Sequence, residues 1–136
     1  MFGAMDAGGT GMSAYRGFLD TVAYNIANIN TVHSTDQAAF RGQYVNLQEI
    51  GNRDGAGPGE GVRVASIEGG SAVGRLVYSP TSPLADTQGY VRMPDIDLGD
   101  QMGNLIVAQR AYQANAMTVT RAKDAYEAAI GIGRGV

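Results

Sequence analysis

Apolar residues recur at helical spacing at the two ends of the chain and at strand spacing between them. Met12, Tyr15, Leu19, Val22, Ile26 and Ile29 follow one another at steps of 3, 4, 3, 4 and 3, which places all six on one narrow stripe of a helix. The pattern predicts a first helix from about Thr10 to Ile29. Thr10 is its expected N-cap, and Asn28, Asn30 and Thr31, poor helix formers, mark its stop.

A second, longer stripe reads Leu98, Met102, Leu105, Gln109, Tyr112, Ala116, Val119, Lys123, Tyr126 and Ile130. It predicts a helix from about Asp97 to Ile130, roughly 50 Å long at 1.5 Å per residue. Pro94 closes what precedes it, Asp97 is its expected N-cap, and Asp100 in the first turn suits the positive end of the helix dipole. Gly131, Gly133 and Gly135 are expected to end it.

The middle is strand-like. Phe40 to Ile50 is β-prone, with an imperfect alternation that suggests a bulge near Tyr44 and Val45. Gly61 to Glu68 forms a second strand, with Val62 and Val64 on one face. The glycine-rich stretch 51–61 reads as a flexible hairpin tip. Leu76 to Tyr78 is short and extended, Ser79 to Pro83 is a proline-paced turn, and Gly89 to Met93 is a last strand. The fold class is therefore α+β: long N- and C-terminal helices (1–31 and 95–136) packed in coiled-coil fashion, with a small β-rich segment (32–94) between them.

A 34-residue helical pattern in a 136-residue chain has few partners of its own. Either its stripe meets other subunits, or the two helices form an intramolecular coil on a small sheet. Tyr15, Tyr24, Tyr112 and Tyr126 all sit on the terminal helices, where half-wet, half-buried rings suit an interface or the rim of a small core. The chain has 20 Gly, no Trp and three Phe, a composition that supports an elongated molecule with a modest core.

Charge and composition narrow the chemistry. The net charge of −3 and the absence of any basic run argue against nucleic acid and against anionic membrane surfaces. With no Cys, there is no disulfide and no thiolate metal site. Early residues up to Arg16 show no signal-peptide pattern, which leaves a cytoplasmic protein or one exported without a cleaved leader. The glycine-rich tip lacks the Gly-Lys-Ser/Thr ending and following helix of a phosphate loop. His33 stands among ordinary loop residues without ligand-spaced partners. Asp95, Asp97 and Asp100 are explained by helix capping. No nucleophile-base pair stands out, so no enzymatic activity, cofactor, metal or small-molecule substrate is expected.

Gly11-Met12-Ser13-Ala14, followed by Asn25-Ile26-Ala27-Asn28-Ile29-Asn30-Thr31, resembles the N-terminal signature of bacterial flagellar axial proteins. The block from Val77 to Asp97, with Tyr78, Pro80, Pro83, Ala85-Asp86, Gly89-Tyr90-Val91 and Pro94, resembles the proximal-rod FlgC family, and Arg110-Ala111-Tyr112-Gln113-Ala114-Asn115 resembles the axial C-terminal helix motif. Where the family often has Asn after the last proline and Glu before the helix Met, this chain has Asp95 and Gln101. The resemblance implies a structural subunit of the flagellar proximal rod, polymerising through its terminal helices into a drive shaft around the export channel. It implies localisation in the periplasm-spanning basal body and export without a cleaved signal. The implied partners are copies of itself, other rod subunits, the export gate and basal-body ring proteins. Subunit contacts are expected at Met12, Tyr15, Leu19, Val22, Asn25, Ile26, Asn28 and Ile29, and at Leu98, Met102, Leu105, Arg110, Tyr112, Asn115, Val119, Tyr126 and Ile130. Another rod or hook subunit, or a small secreted binding module using the 51–61 tip, are the alternatives.

Overall fold

The computed structural model describes residues 2–51 and 59–134, so most of the expected hairpin tip lies outside the described residues. The elements run α1 (Phe2–Asn28), β1 (Gln43–Ile50), β2 (Gly61–Gly69), β3 (Arg75–Tyr78), β4 (Tyr90–Met93) and α2 (Leu98–Arg134). Two two-stranded sheets form, β1 with β2 and β3 with β4. The α+β class expected from the periodicities is what is observed. Residues fall into two compact units, one of Met1–Leu19, Asn46–Ser66 and Ile106–Val136, the other of Asp20–Val45 and Ile67–Leu105.

In the first unit, α1 begins at Phe2 rather than Thr10. The glycine-containing leader is helical because two of its glycines are contact surfaces. A Cβ on Gly8 would lie 2.7 Å from Val119 Cγ2 and 3.3 Å from the Asn115 carbonyl oxygen, and one on Gly11 would lie 2.6 Å from Asn115 Cγ. The two helices approach antiparallel here, closely enough that the packing offsets the helix penalty of glycine, about 1 kcal/mol each. Thr10 is therefore an interior helical residue and not a cap. Its hydroxyl donates to the Ala7 carbonyl at 2.9 Å and accepts the Val62 N–H at 3.2 Å, joining β2 to α1. Gly61 must be a glycine for the same reason. Its φ is +146° and a side chain there would run into Thr10.

The hairpin is antiparallel. The Glu60 N–H donates to the Ile50 carbonyl at 2.7 Å, and Asn46 and Gln48 reach Ser66 and Arg63 across the pair. Val62 and Val64 share the more buried face, as expected, and Val64 packs near Gly17. The irregularity expected at Tyr44 and Val45 leaves no mark in the burial pattern. Burial alternates regularly from Gln43 and slips only at Glu49.

In the second unit, β3 and β4 pair antiparallel with Arg75 opposite Met93, Leu76 opposite Arg92, Val77 opposite Val91 and Tyr78 opposite Tyr90. The loop residue His33 adds a bridge on the far side of β4, exchanging both backbone hydrogen bonds with Arg92 at 2.9 Å. The proline-paced segment makes two successive turns, Ser79 to Ser82 and Ser82 to Ala85. Val91, Pro94, Ile96, Ala39 and Val22 form the buried core of this unit. α2 starts as expected: Asp97 Oδ1 accepts the Asp100 N–H at 2.9 Å and its carbonyl accepts the Gln101 N–H at 3.1 Å. The helix runs on to Arg134, through Gly131 and Gly133, which were expected to end it; Gly135 lies outside the described residues.

Glycine replacement separates the packed positions from the idle ones. Gly9 has nothing within 4 Å of an added Cβ, so Gly9→Ala is expected to stabilise the chain by about 0.5–1 kcal/mol. Gly8→Val forces a branched side chain into Val119 and is expected to destabilise by about 1–3 kcal/mol. Urea unfolding of the two variants beside the parent checks the opposite signs.

Candidate subunit interface

A buried amide ties the second unit together. Asn25, on α1, is 1% exposed. Its Nδ2 donates to the Gln43 carbonyl at 2.7 Å and to Gln101 Oε1 at 3.0 Å, while its Oδ1 accepts the Gln43 N–H at 2.7 Å. The side chain thus pairs with both backbone groups of Gln43 as a neighbouring strand residue would. Because the Gln43 N–H needs an acceptor and its carbonyl a donor, the amide has one workable orientation. Gln101, itself buried, is a neutral amide, so the acceptor meeting Asn25 carries no charge that burial would penalise.

The cap at Asp97 sets the position of Gln101, one turn into α2. On the other side, Val22 and Thr21 are buried one turn before Asn25. Asn28 ends α1 by donating to the Tyr24 carbonyl at 2.9 Å and accepting from the Thr31 hydroxyl at 3.2 Å. Tyr24 meets Phe40 with ring centroids 5.3 Å apart.

The expected interface residues divide by burial. Val22 and Asn25 are buried within the chain. Met12, Tyr15, Leu19, Ile26, Asn28, Ile29, Leu105, Tyr112, Asn115 and Val119 are half-buried. Leu98, Met102, Arg110, Tyr126 and Ile130 are exposed. The most buried line on α1 runs through Gly8, Gly11, Ala14, Thr21, Val22 and Asn25, and that on α2 through Gln101, Leu105, Ala108, Tyr112, Asn115, Val119 and Ala122. Both keep a heptad repeat, but the register leans toward small and polar residues. Counting only large apolar positions missed Gly8, Gly11, Gln101 and Ala108. The signal that could have found Gly8, Gly11 and Ala108 is a repeat of small residues at helical spacing.

Tyr126 continues the buried line of α2 four residues after Ala122, and Ile130 lies close to the same face; they are 43% and 40% exposed. Leu98, Met102, Ile106, Val107, Met117 and Ile132 are also exposed on α2. The helix thus carries more large apolar surface than its own chain covers.

The Tyr78 to Asp97 block builds a rigid loop. Asp86 Oδ1 accepts the N–H groups of Gln88 and Tyr90, both at 2.9 Å, and Tyr78 and Tyr90 meet edge to face at 5.3 Å. The Tyr90 N–H aimed at the carboxylate holds the Asp86 pKa below the ordinary carboxylate value; burial works against it, and the Gln88 N–H and Thr35 hydroxyl add to the lowering. The Arg92 guanidinium donates to the Thr35 carbonyl at 2.7 Å and to that of Val73, fastening the loop after α1 to the segment before β3. His33 serves here through its backbone. Among the described residues no group of His, Asp and Glu could hold a metal ion.

Residues 87–132 match the family described as flagellar basal body rod FlgEFG protein C-terminal. The flagellar basal-body rod protein FlgC of Borreliella burgdorferi is 32% identical to this chain over 150 aligned positions, covering 99% of each. That of Yersinia enterocolitica is 40% identical over 121 positions, covering 87% of each. That of Bacillus subtilis is 29% identical over 147 positions and covers 98% of each.

Two outcomes follow from this geometry. Asn25→Ala leaves the Gln43 backbone groups and Gln101 without their buried partner and is expected to destabilise the chain by about 2–4 kcal/mol, read by urea unfolding. Since folding lowers the Asp86 pKa, its contribution is present above the unfolded value and is lost as pH falls through the folded one. In an NMR titration Asp86 should therefore titrate below the ordinary carboxylate range, and Asp86→Asn should reduce the acid sensitivity of the Tyr90 amide resonance.

Proposed function

This chain belongs to the FlgC family of flagellar basal-body rod proteins, and we propose from that premise how it serves as a structural subunit of the proximal rod. The observation that carries the reading is the combination of chain-long similarity to FlgC proteins with an α2 whose apolar residues outnumber their partners within the chain. A subunit of the basal body assembles with other rod components. Here the terminal segments 1–31 and 95–136 act as the axial core, and residues 32–94 reach toward neighbouring subunits.

The interface consists of residues left at least partly open: Met12, Tyr15, Leu19, Ile26 and Asn28 on α1, Ile29 just after it, and Leu98, Met102, Arg110, Tyr126 and Ile130 on α2. Val22, Asn25, Leu105, Tyr112, Asn115 and Val119 support those surfaces from beneath. Contacts of this heterologous sort do not close on themselves and so generate a tube. Torque passes through many helix-helix contacts with no chemical step, and the tube surrounds the export channel. The export gate and the basal-body rings are its neighbours at the base, and the chain reaches them through the flagellar export route.

Ile130→Asp tests the helical interface. Ile130 is 40% exposed in the single chain, so the variant is expected to unfold within about 0.5 kcal/mol of the parent. Mass spectrometry of ring-stripped rods from the source bacterium should find the parent chain and strongly reduced amounts of the variant. Equal incorporation of both would remove Ile130 from the interface, and absence of the parent chain from rods would overturn the reading as a whole.

A further inference from the structure

The open edge of β3 has hydrogen-bonding groups whose direction is set by the pairing on its other side. Arg92 exchanges its N–H and carbonyl with His33. In a strand, the two backbone groups of one residue point to one side and those of its neighbours to the other. The groups of Val91 and Met93 therefore point toward β3, where they meet Val77 and Arg75 in register. The bond from the Ser79 N–H to the Gly89 carbonyl, 2.8 Å, keeps the same alternation. The N–H and carbonyl groups of Leu76 and Tyr78 consequently point away from β4. Among the described residues no hydrogen bond reaches them.

The side chains beside these groups are unusually bare. Leu76 is 58% and Tyr78 64% exposed. Natural edge strands are blunted by shortness, a charge, a proline or a bulge; β3 is four residues long, holds no proline, and has one charge, that of the exposed Arg75. The edge offers two donors, two acceptors, two apolar side chains on one face and a cation on the other.

We propose that this edge is a docking site for an extended segment of a neighbouring axial subunit, which adds as a strand beside β3. The incoming segment pairs with the outward groups of Leu76 and Tyr78. It lays apolar side chains over theirs, and it brings a carboxylate to Arg75. Strand addition of this type takes its affinity from backbone hydrogen bonds and its selectivity from alternate side chains. The proposal rests on the chain being a rod subunit, and it adds to the helical interface a β-contact contributed by the middle segment.

Proline supplies the test, because it can delete an outward N–H while leaving the β4 ladder whole. Leu76→Pro and Arg75→Glu are expressed in the source bacterium, their folding is checked by circular dichroism, and their copies in ring-stripped rods are counted against the parent chain. A photoreactive residue at position 78 identifies the neighbour. Expected is about a tenfold drop in incorporation for each folded variant, with crosslinks from position 78 landing on an extended segment of another axial subunit. Should Leu76→Pro fail to fold, Arg75→Glu together with the crosslink carries the decision. Normal incorporation of the folded variants, or crosslinks landing only on helices, overturns the β-contact while leaving the rod assignment intact. Absence of the parent chain from rods overturns the assignment itself.

Discussion

The second unit of this chain depends on one buried amide. Asn25 needs a donor and acceptors once α1 is removed from water, and it finds them in the two backbone groups of Gln43 and the side chain of Gln101. That requirement fixes where the chain enters β1 and which turn of α2 lies beside α1. A buried polar group holds its position more narrowly than an apolar one, because a small slide leaves hydrogen bonds unmade at about 1–3 kcal/mol each. The cap at Asp97, the buried Pro94 and Ile96 and the fastening by Arg92 support the same arrangement.

In the first unit, close approach takes the place of hydrogen bonding. Gly8 and Gly11 let α2 come near enough for Val119 and Asn115 to rest on helical backbone. Ala14 and Ala108 are buried in the same unit. Seams made of small residues bury little area per residue, so dispersion contacts at short range replace bulk apolar transfer. The large apolar side chains are thereby left outside, on Ile106, Met117, Ile130 and Ile132. An isolated soluble protein rarely keeps so many uncovered along one helix. In the proposed rod assembly neighbouring subunits cover them, and the proposed strand addition covers Leu76 and Tyr78 on the edge of β3 in the same way.

The sequence by itself determined the two long helices, the cap at Asp97, the stop at Asn28, the turn from Ser79 onward, the α+β class and the family. Each is a local matter: a heptad spacing, a side chain reaching a nearby N–H, or a proline that fixes φ. The Tyr78 to Asp97 block was legible for the same reason, since Asp86 bonds residues two and four places ahead of it.

Only the tertiary structure decided which face of each helix turns inward. Periodicity in large apolar residues marked Met12, Tyr15, Leu98 and Met102, yet the chain buries Gly8, Gly11, Asn25, Gln101 and Ala108 more deeply. Hydrophobic spacing weighs the area of a side chain, whereas a close helix seam is chosen by how near two backbones can come and by which polar groups find partners across it. Those partners are remote in the chain: Gly11 and Asn115, Thr10 and Val62, Asn25 and Gln101. For the same reason α1 begins eight residues before Thr10. A glycine-rich leader has poor helix propensity on its own, and it becomes helical because a distant segment packs against it.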